Sequence, residues 1–218
     1  MEETKHVNLK LEKTNTHYVG TTTTRLWPEL LRFTRSMLRG VGSHGTYLTA
    51  IINSAIIVEG FVTDIILDQL DGKKPNSSKA FDPERATWKD KLKAFEELFG
   101  KRIEDFNEFE GLEVLFLLRN NISHGRSHVE ISKIDIQTGE KSIVESKNRN
   151  YQKVRDYLVK YGILTPKDTP SNVDVLWKPL TAALLLTTTE SFLHSVLKME
   201  NIRNKEGLSS ELQTALQV

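Results

Sequence analysis

Residues 112–125 read LEVLFLLRNNISHG, an apolar run that turns polar at Arg119. The five residues 114–118 are all apolar, so they would cover every side of a helix and need protein on both flanks. Gly125 suits the left-handed turn that closes a helix, which places His124 in the last turn or its cap. The stretch therefore predicts a buried helix whose final turns carry polar side chains.

Three polar side chains share one half of this predicted helix. At about 100° per residue, Arg119 continues the ridge of Leu115 and Phe116, and Asn120 and His124 lie one turn apart. Burying a guanidinium and an imidazole costs several kcal/mol unless they are paired, hydrated or used. A permanent cation beside a side chain that titrates near neutrality can hold a phosphate and move a proton. In the alternative interpretation, the same residues only cap free carbonyl groups and favour the helix dipole.

The hexapeptide RNNISH at residues 119–124 resembles the R-(N/D/H)-x-x-x-H motif of the HEPN superfamily. The Leu-rich run before it and Gly125 after it are similar to that family as well. The resemblance implies a mainly α fold, a HEPN-like helical bundle that covers roughly residues 46–199. It also implies a metal-independent endoribonuclease that needs no cofactor.

The resemblance further implies a role for each motif residue. The ribose 2′-OH attacks the adjacent phosphorus, His124 moves a proton as general acid or base, and Arg119 stabilises charge on the phosphate oxygens. Asn120 holds or polarises the site, and Ser123 supports it. The implied partners are RNA and a second copy of the chain, which forms a homodimer with the two motifs facing each other. Such proteins resemble toxins and antiviral defence nucleases, which an antitoxin-like protein often neutralises.

Residues 46–70 form the longest apolar-rich segment of the chain. Polar residues such as Asn53 and Asp64 interrupt it, which argues against a membrane span and favours a buried core helix. Within it, Glu59 is a carboxylate among apolar neighbours, so it needs water or a partner. Either Arg119 or His124 pairs with Glu59 and orients the site, or the carboxylate extends outward into solvent.

Four arginines recur near helical spacing in residues 25–39, which read as a helix with Pro28 in its first turn. They are Arg25, Arg32, Arg35 and Arg39. A basic stripe of this kind could follow an RNA backbone, because phosphate contacts need charge rather than a particular base. Arg126, just beyond the motif, is a further candidate for such a contact. The ordinary alternative is a solvated helix face.

Composition limits the other classes of function. The chain has 218 residues and a net charge of +1, so RNA binding requires a local basic patch. With no cysteine there can be no disulfide and no thiolate metal site. His124 and His128 have the spacing of helical metal ligands, but Gly125 should break the helix between them, so we expect no metal site. The acidic first residues, MEE, lack an apolar signal region, which predicts a cytoplasmic protein with no membrane contact.

The chain divides into three predicted parts. Residues 1–24 are an N-terminal extension with a short strand, where apolar and polar residues alternate. Residues 25–203 are the helical domain that resembles HEPN, with a small β-hairpin insertion at about 129–145, after the motif helix. A closing helix is predicted over 174–199, where Pro179 either marks the true start or introduces a kink. Residues 204–218 are mostly polar and are predicted to be a flexible tail.

Two rival hypotheses come from other classes of protein. A non-catalytic helical dimer would bind RNA, nucleotide or a protein partner through the same cleft, and would not cleave RNA. A plain structural bundle would use Arg119 only to cap carbonyl groups. The second rival predicts that Arg119→Ala lowers thermal stability without altering any affinity for RNA.

Overall fold

Helices account for most of the described chain, which confirms the mainly α fold. The computed structural model describes residues 10–13, 18–21, 25–40, 42–70, 82, 85–124, 130–134, 137–138, 141–146, 149–166 and 178–217. The α-helices in these ranges are α1 (Trp27–Arg39), α2 (His44–Leu70), α3 (Trp88–Phe99), α4 (Phe109–His124), α5 (Arg149–Lys160), α6 (Pro179–Leu197) and α7 (Lys205–Leu216). A 3₁₀ turn at Ile103–Asp105 precedes α4.

The 27-residue helix α2 is the centre of the helical core. Helices α1, α3, α4 and α6 all pack against it. Ile57 and Phe61 have no exposed surface, and the Phe61 ring meets Trp27 edge to face with 5.1 Å between ring centroids. A helix that is apolar on most sides is stable only under such cover, which explains its interior position.

Among the residues that the structure describes, two helices, α2 and α6, are long and apolar enough to cross a membrane. Within the protein, 61% of the apolar window of α2 and 56% of that of α6 are buried. The two helices pack against each other and also bury polar groups. Asn53 Nδ2 donates to Thr34 Oγ1 at 3.1 Å, and Thr189 Oγ1 donates to the Leu185 carbonyl at 3.0 Å. These contacts satisfy polar atoms that burial would otherwise leave unpaired.

Local signals set the helix ends around the motif. Thr87 begins α3 with a capping box, in which its hydroxyl accepts from the Asp90 N–H and the Asp90 carboxylate accepts from the Thr87 N–H. Gly100 ends α3 in the left-handed region, with φ at 64°. Pro179 is the first residue of α6, so it marks the start of the closing helix rather than a kink within it.

Helix α4 carries the motif and lies against α2, α5 and α6. Leu115 has no exposed surface, as the apolar run predicted. Gly111 lets α5 and α6 approach closely, because a Cβ at that position would lie 2.6 Å from Thr188 Cγ2 and would also meet Tyr157 Oη. The helix runs as far as His124, so the Arg-Asn-x-x-x-His residues occupy its last turns.

In the described part of the chain, two pairs of short strands lie outside the helical core. Lys10–Lys13 (β1) pairs antiparallel with Tyr18–Thr21 (β2). The predicted strand at residues 7–12 falls partly on β1, and its first residues, 7–9, lie outside the described part. After α4, Glu130–Ile134 (β3) pairs antiparallel with Lys141–Ser146 (β4), with a register shift between Ile131 and Ser132. This second pair falls where the sequence predicted a hairpin, between α4 and α5.

The prediction of a flexible tail from residue 204 is wrong. Lys205–Leu216 forms α7, and Leu208, Leu212 and Ala215 are buried where this helix packs on α1. These three apolar residues are spaced one turn apart, so they form a stripe that is easily hidden among polar neighbours. The helical domain therefore extends past residue 203 to the end of α7.

Candidate functional site

The end of α4 is tied to α2 by an ion pair between Arg119 and Glu59. Arg119 Nη2 donates to Glu59 Oε1 at 2.6 Å, and the two side chains are 27% and 25% exposed. Of the two outcomes left open for Glu59, the structure shows the paired one. Arg119 does not serve mainly as a carbonyl cap, because its charge is matched by a carboxylate from another helix.

The Arg119 guanidinium is fixed from a second side by Phe116. Its Cζ lies 5.4 Å from the centroid of the Phe116 ring, within the range of a cation–π contact. Arg119 Nε is buried and has no hydrogen-bond partner among the described residues. A guanidinium held in this way, with a quarter of its side chain exposed, can present its remaining donors to a ligand without losing much rotamer freedom.

Glu59 also sets the charge of the site. The pair is neutral, so any anion that reached Arg119 would share the guanidinium with the carboxylate. Partly exposed ion pairs of this kind contribute about 0–1 kcal/mol to stability, so the pair is a weak structural device. The carboxylate also lowers the positive charge that Arg119 presents to solvent.

Asn120, the residue after Arg119, lines a groove of about 320 Å³. The groove lies between α3, α4 and α5, and no sequence pattern indicated it. Three aromatic side chains contribute to its surface, namely Trp88, Phe109 and Phe116. Lys153 of α5 lies on its rim and forms an ion pair with Glu113.

The structure describes the backbone of the last motif residues but not every side chain. Because α4 is continuous to its end, Asn120 and His124 stand one turn apart on the same side of the helix. The side chain of His124 lies outside the described part of the structure, as does Arg126. Ser123 is exposed. The structure therefore brings Arg119 together with Glu59, and Asn120 together with the groove.

The predicted basic stripe on α1 is wrong for two of its members. Arg25 is only 7% exposed and pairs with Asp68 at 2.6 Å, Glu211 at 2.8 Å and Asp64 at 3.6 Å. Arg35 Nη1 pairs with Glu190 of α6 at 2.6 Å. Both cations are used between helices rather than offered to a phosphate, because acidic residues from distant segments lie opposite them.

The other two arginines of the stripe stay closer to the prediction. Arg32 pairs with Glu29 on its own helix at 3.0 Å, and both side chains reach solvent. Arg39 is exposed in the last turn of α1. Two accessible cations do not make a continuous basic row. Helix α1 therefore has fewer positive charges available to an RNA backbone than its sequence indicates.

Arg25 and its three acidic partners, Asp64, Asp68 and Glu211, form a group that we call the Arg25 cluster. One of its carboxyl groups has an altered pKa. Burial is the main cause of a rise in the pKa of Asp64 to about 6; Arg25 opposes the rise, and neighbouring Asp68 and Glu211 contribute to it. The spacing of Asp64 and Asp68 on α2 was visible in the sequence, but their partner was not. Among the residues that the structure describes, no cluster of His, Asp or Glu could hold a metal ion.

No family model, curated protein or solved structure matches this chain. The candidate site consists of a fixed guanidinium, its carboxylate partner and an amide beside an aromatic groove.

Proposed function

We propose that the protein is a HEPN-like endoribonuclease that cleaves RNA without a metal ion and acts as a homodimer. The observation that supports this most is the quarter-exposed Arg119–Glu59 pair at the end of the helix that carries the Arg-Asn-x-x-x-His residues. In a plain structural bundle, an arginine at this position would favour the helix dipole, and its partly exposed ion pair would add only about 0–1 kcal/mol. A phosphoryl-transfer site does need a pre-positioned cation of this kind.

The reaction follows from the chemistry of the ribose-phosphate linkage. The 2′-oxygen attacks the adjacent phosphorus and gives up its proton, and the 5′-oxygen of the next nucleotide leaves and takes up a proton. The products are a 2′,3′-cyclic phosphate and a free 5′-hydroxyl. His124 carries one of these protons, and Arg119 stabilises the charge that builds up on the phosphate oxygens. Asn120 orients the substrate, and Glu59 orients Arg119.

Two features support a homodimer. Since Glu59 neutralises Arg119 within a subunit, a single guanidinium attracts a phosphate only weakly, whereas two facing each other double the donors on one phosphate. Ile56 is 44% exposed and lies one turn before Glu59 on α2, so apolar surface adjoins the ion pair. An isologous interface through this face would cover Ile56 and bring the two sites together.

The family resemblance carries the biological part of the proposal. It favours a cytoplasmic toxin or antiviral defence nuclease, and an antitoxin-like protein as its neutralising partner. Expression of the wild-type chain should then arrest growth, and expression of His124→Ala should not.

The decisive experiment is cleavage of single-stranded RNA in excess chelator. We expect the wild type to release 2′,3′-cyclic phosphate ends, and His124→Ala to be slower by about 100-fold or more, since proton transfer is worth that much. His194→Ala, which changes an exposed histidine on α6, is the matched control and should cleave normally. Absence of chelator-resistant, His124-dependent cleavage would overturn the proposal.

A second function is favoured by the groove beside Asn120. A non-catalytic dimer that binds RNA or nucleotide would use the same aromatic surface and would not require His124. In that case RNA binding persists in His124→Ala and no cleavage is seen in the wild type.

A further inference from the structure

The groove between α3, α4 and α5 presents aromatic rings at the protein surface. Trp88 is the first residue of α3 and is half-buried, and its ring centroid lies 4.5 Å from that of Phe116 at an angle of 34°. Phe109, also half-buried, adds a third ring to the lining. Partly exposed aromatic rings are the surfaces on which the bases of single-stranded nucleic acids stack.

Phe116 joins the groove to the candidate site. The Trp88 ring packs against the Phe116 ring, and the Arg119 guanidinium lies 5.4 Å from the centroid of the Phe116 ring. Asn120, which follows Arg119 along α4, also lines the groove. A ligand in the groove is therefore adjacent to the guanidinium that would hold the phosphate.

The polar groups of the groove favour a planar polar ligand over an apolar one. The Asn120 amide supplies donors and an acceptor, the pattern needed to pair with the edge of a base. An apolar helix from another protein would leave that amide without partners, at a cost in free energy. The Lys153 ammonium at the rim remains partly exposed while paired with Glu113, so it can also approach a backbone phosphate.

The size of the groove points the same way. Its volume of about 320 Å³ is at the lower end of the range for small-ligand sites. This volume is large enough for a single base.

We infer that this groove is a base-binding subsite for single-stranded RNA, with one unstacked base on Trp88 and Asn120 reading its edge. The inference rests on the proposed function, since it supplies the nucleotide next to the phosphate held by Arg119. It adds a stacking surface, Trp88, that lies outside the Arg-Asn-x-x-x-His residues, and it gives the motif residue Asn120 a role in selecting the base. Cleavage should then depend on the identity of one base near the scissile bond.

The first test measures binding of a labelled single-stranded RNA hexamer by fluorescence anisotropy, in the His124→Ala background so that the RNA stays intact. Trp88→Ala should weaken binding by about tenfold, the usual loss for one stacked base. Trp88→Phe should restore most of it, and a hexamer without bases should bind both proteins equally. Phe33→Ala, which removes an exposed ring on α1, is the matched control and should change nothing.

The second test needs no groove variant and therefore survives any folding defect of Trp88→Ala. RNA containing a photoreactive uridine is crosslinked to the chain, and the attachment sites are mapped by mass spectrometry. Crosslinks at Trp88 or Phe109 are expected. Crosslinks only elsewhere, or equal loss of normal and base-free RNA in Trp88→Ala, would overturn the subsite.

The outcomes separate the two proposals. If the wild type cleaves RNA in a His124-dependent way but crosslinks away from the groove, the subsite fails and the nuclease stands. If the groove crosslinks to RNA and no cleavage occurs, the subsite stands and the nuclease fails. If the chain binds no RNA, or if Trp88→Ala converts a dimer to a monomer, the groove is not an RNA site and the inference is withdrawn.

Discussion

Arg119 on α4 donates a 2.6 Å hydrogen bond to Glu59 on α2, which lies sixty positions earlier in the chain. The pair joins the helix that carries the motif to the central helix of the core. The pair restrains the guanidinium. Because Glu59 already neutralises the charge of Arg119, an anion that binds Arg119 would have to compete with this carboxylate.

Glu59→Gln should bind single-stranded RNA more tightly than the unchanged protein. The amide keeps the shape of the side chain but no longer neutralises Arg119, so we expect a gain of about three- to tenfold at low salt, with a steeper dependence on salt. Anisotropy in the His124→Ala background measures it. Glu190→Gln alters a comparable ion pair with Arg35 and should leave RNA affinity unchanged. An unaltered affinity in Glu59→Gln would mean that Glu59 does not compete with phosphate.

Arg119→Ala should abolish cleavage at a small cost in stability. Removal of the cation leaves Glu59 without its partner, and since both side chains reach solvent the free energy of unfolding should fall by only about 1 kcal/mol. Urea denaturation gives this value, and a double-mutant cycle with Glu59→Ala isolates the pair. Normal cleavage by folded Arg119→Ala would remove Arg119 from the mechanism.

Ile56→Glu should convert a dimer to a monomer and reduce cleavage. The residue is exposed in a single chain, so a charge there is tolerated by the fold but not by an apolar two-fold interface. Analytical ultracentrifugation measures the change. Leu180→Glu, at an exposed leucine of α6, is the control and should leave the assembly intact. A dimer that survives Ile56→Glu would place the interface elsewhere.

The Arg25 cluster predicts a dependence of stability on pH. Burial raises the pKa of Asp64 from 3.8 to about 6, so the folded protein holds this proton more tightly than the unfolded chain does. The contribution of Asp64 to the free energy of unfolding is then greatest below about pH 4 and is lost as the pH rises to about 6. Asp64→Asn should remove that decline in urea denaturation at several pH values.

The control for the pH experiment is Glu206→Gln, which changes an exposed carboxylate on α7. Its stability should follow the same pH curve as the wild type. If Asp64→Asn also runs parallel to the wild type, the raised pKa of Asp64 is refuted.

Leu212→Ala tests whether the C-terminal residues belong to the core. The side chain is buried on α7, a helix that packs on α1, so its loss should lower the free energy of unfolding by about 3 kcal/mol. Gln213→Ala, at the adjacent exposed position, should change it by less than about 0.5 kcal/mol. Equal and negligible effects would restore the flexible tail that the sequence suggested.

The sequence by itself determined where most helices run. The apolar run at residues 114–118 predicted a helix covered on both flanks, and α4 is such a helix. The longest apolar segment predicted the central helix, and Pro28 predicted the start of α1. These features are local, because helical periodicity and capping act between residues only a few positions apart. The polar residues at the end of α4 were also visible, so the sequence located the candidate site.

Only the tertiary structure decided what each charged side chain meets. Arg25 pairs with Glu211, which lies 186 positions away, and Arg119 pairs with Glu59. Neither pair can be recognised from the residue spacing within one helix. The groove beside Asn120 likewise exists only because α3 and α5 lie on either side of α4. The polar C-terminal residues became a helix because α1 offered an apolar surface to Leu212. Pairing and burial depend on which segments become neighbours in space, and that depends on the packing of the whole chain.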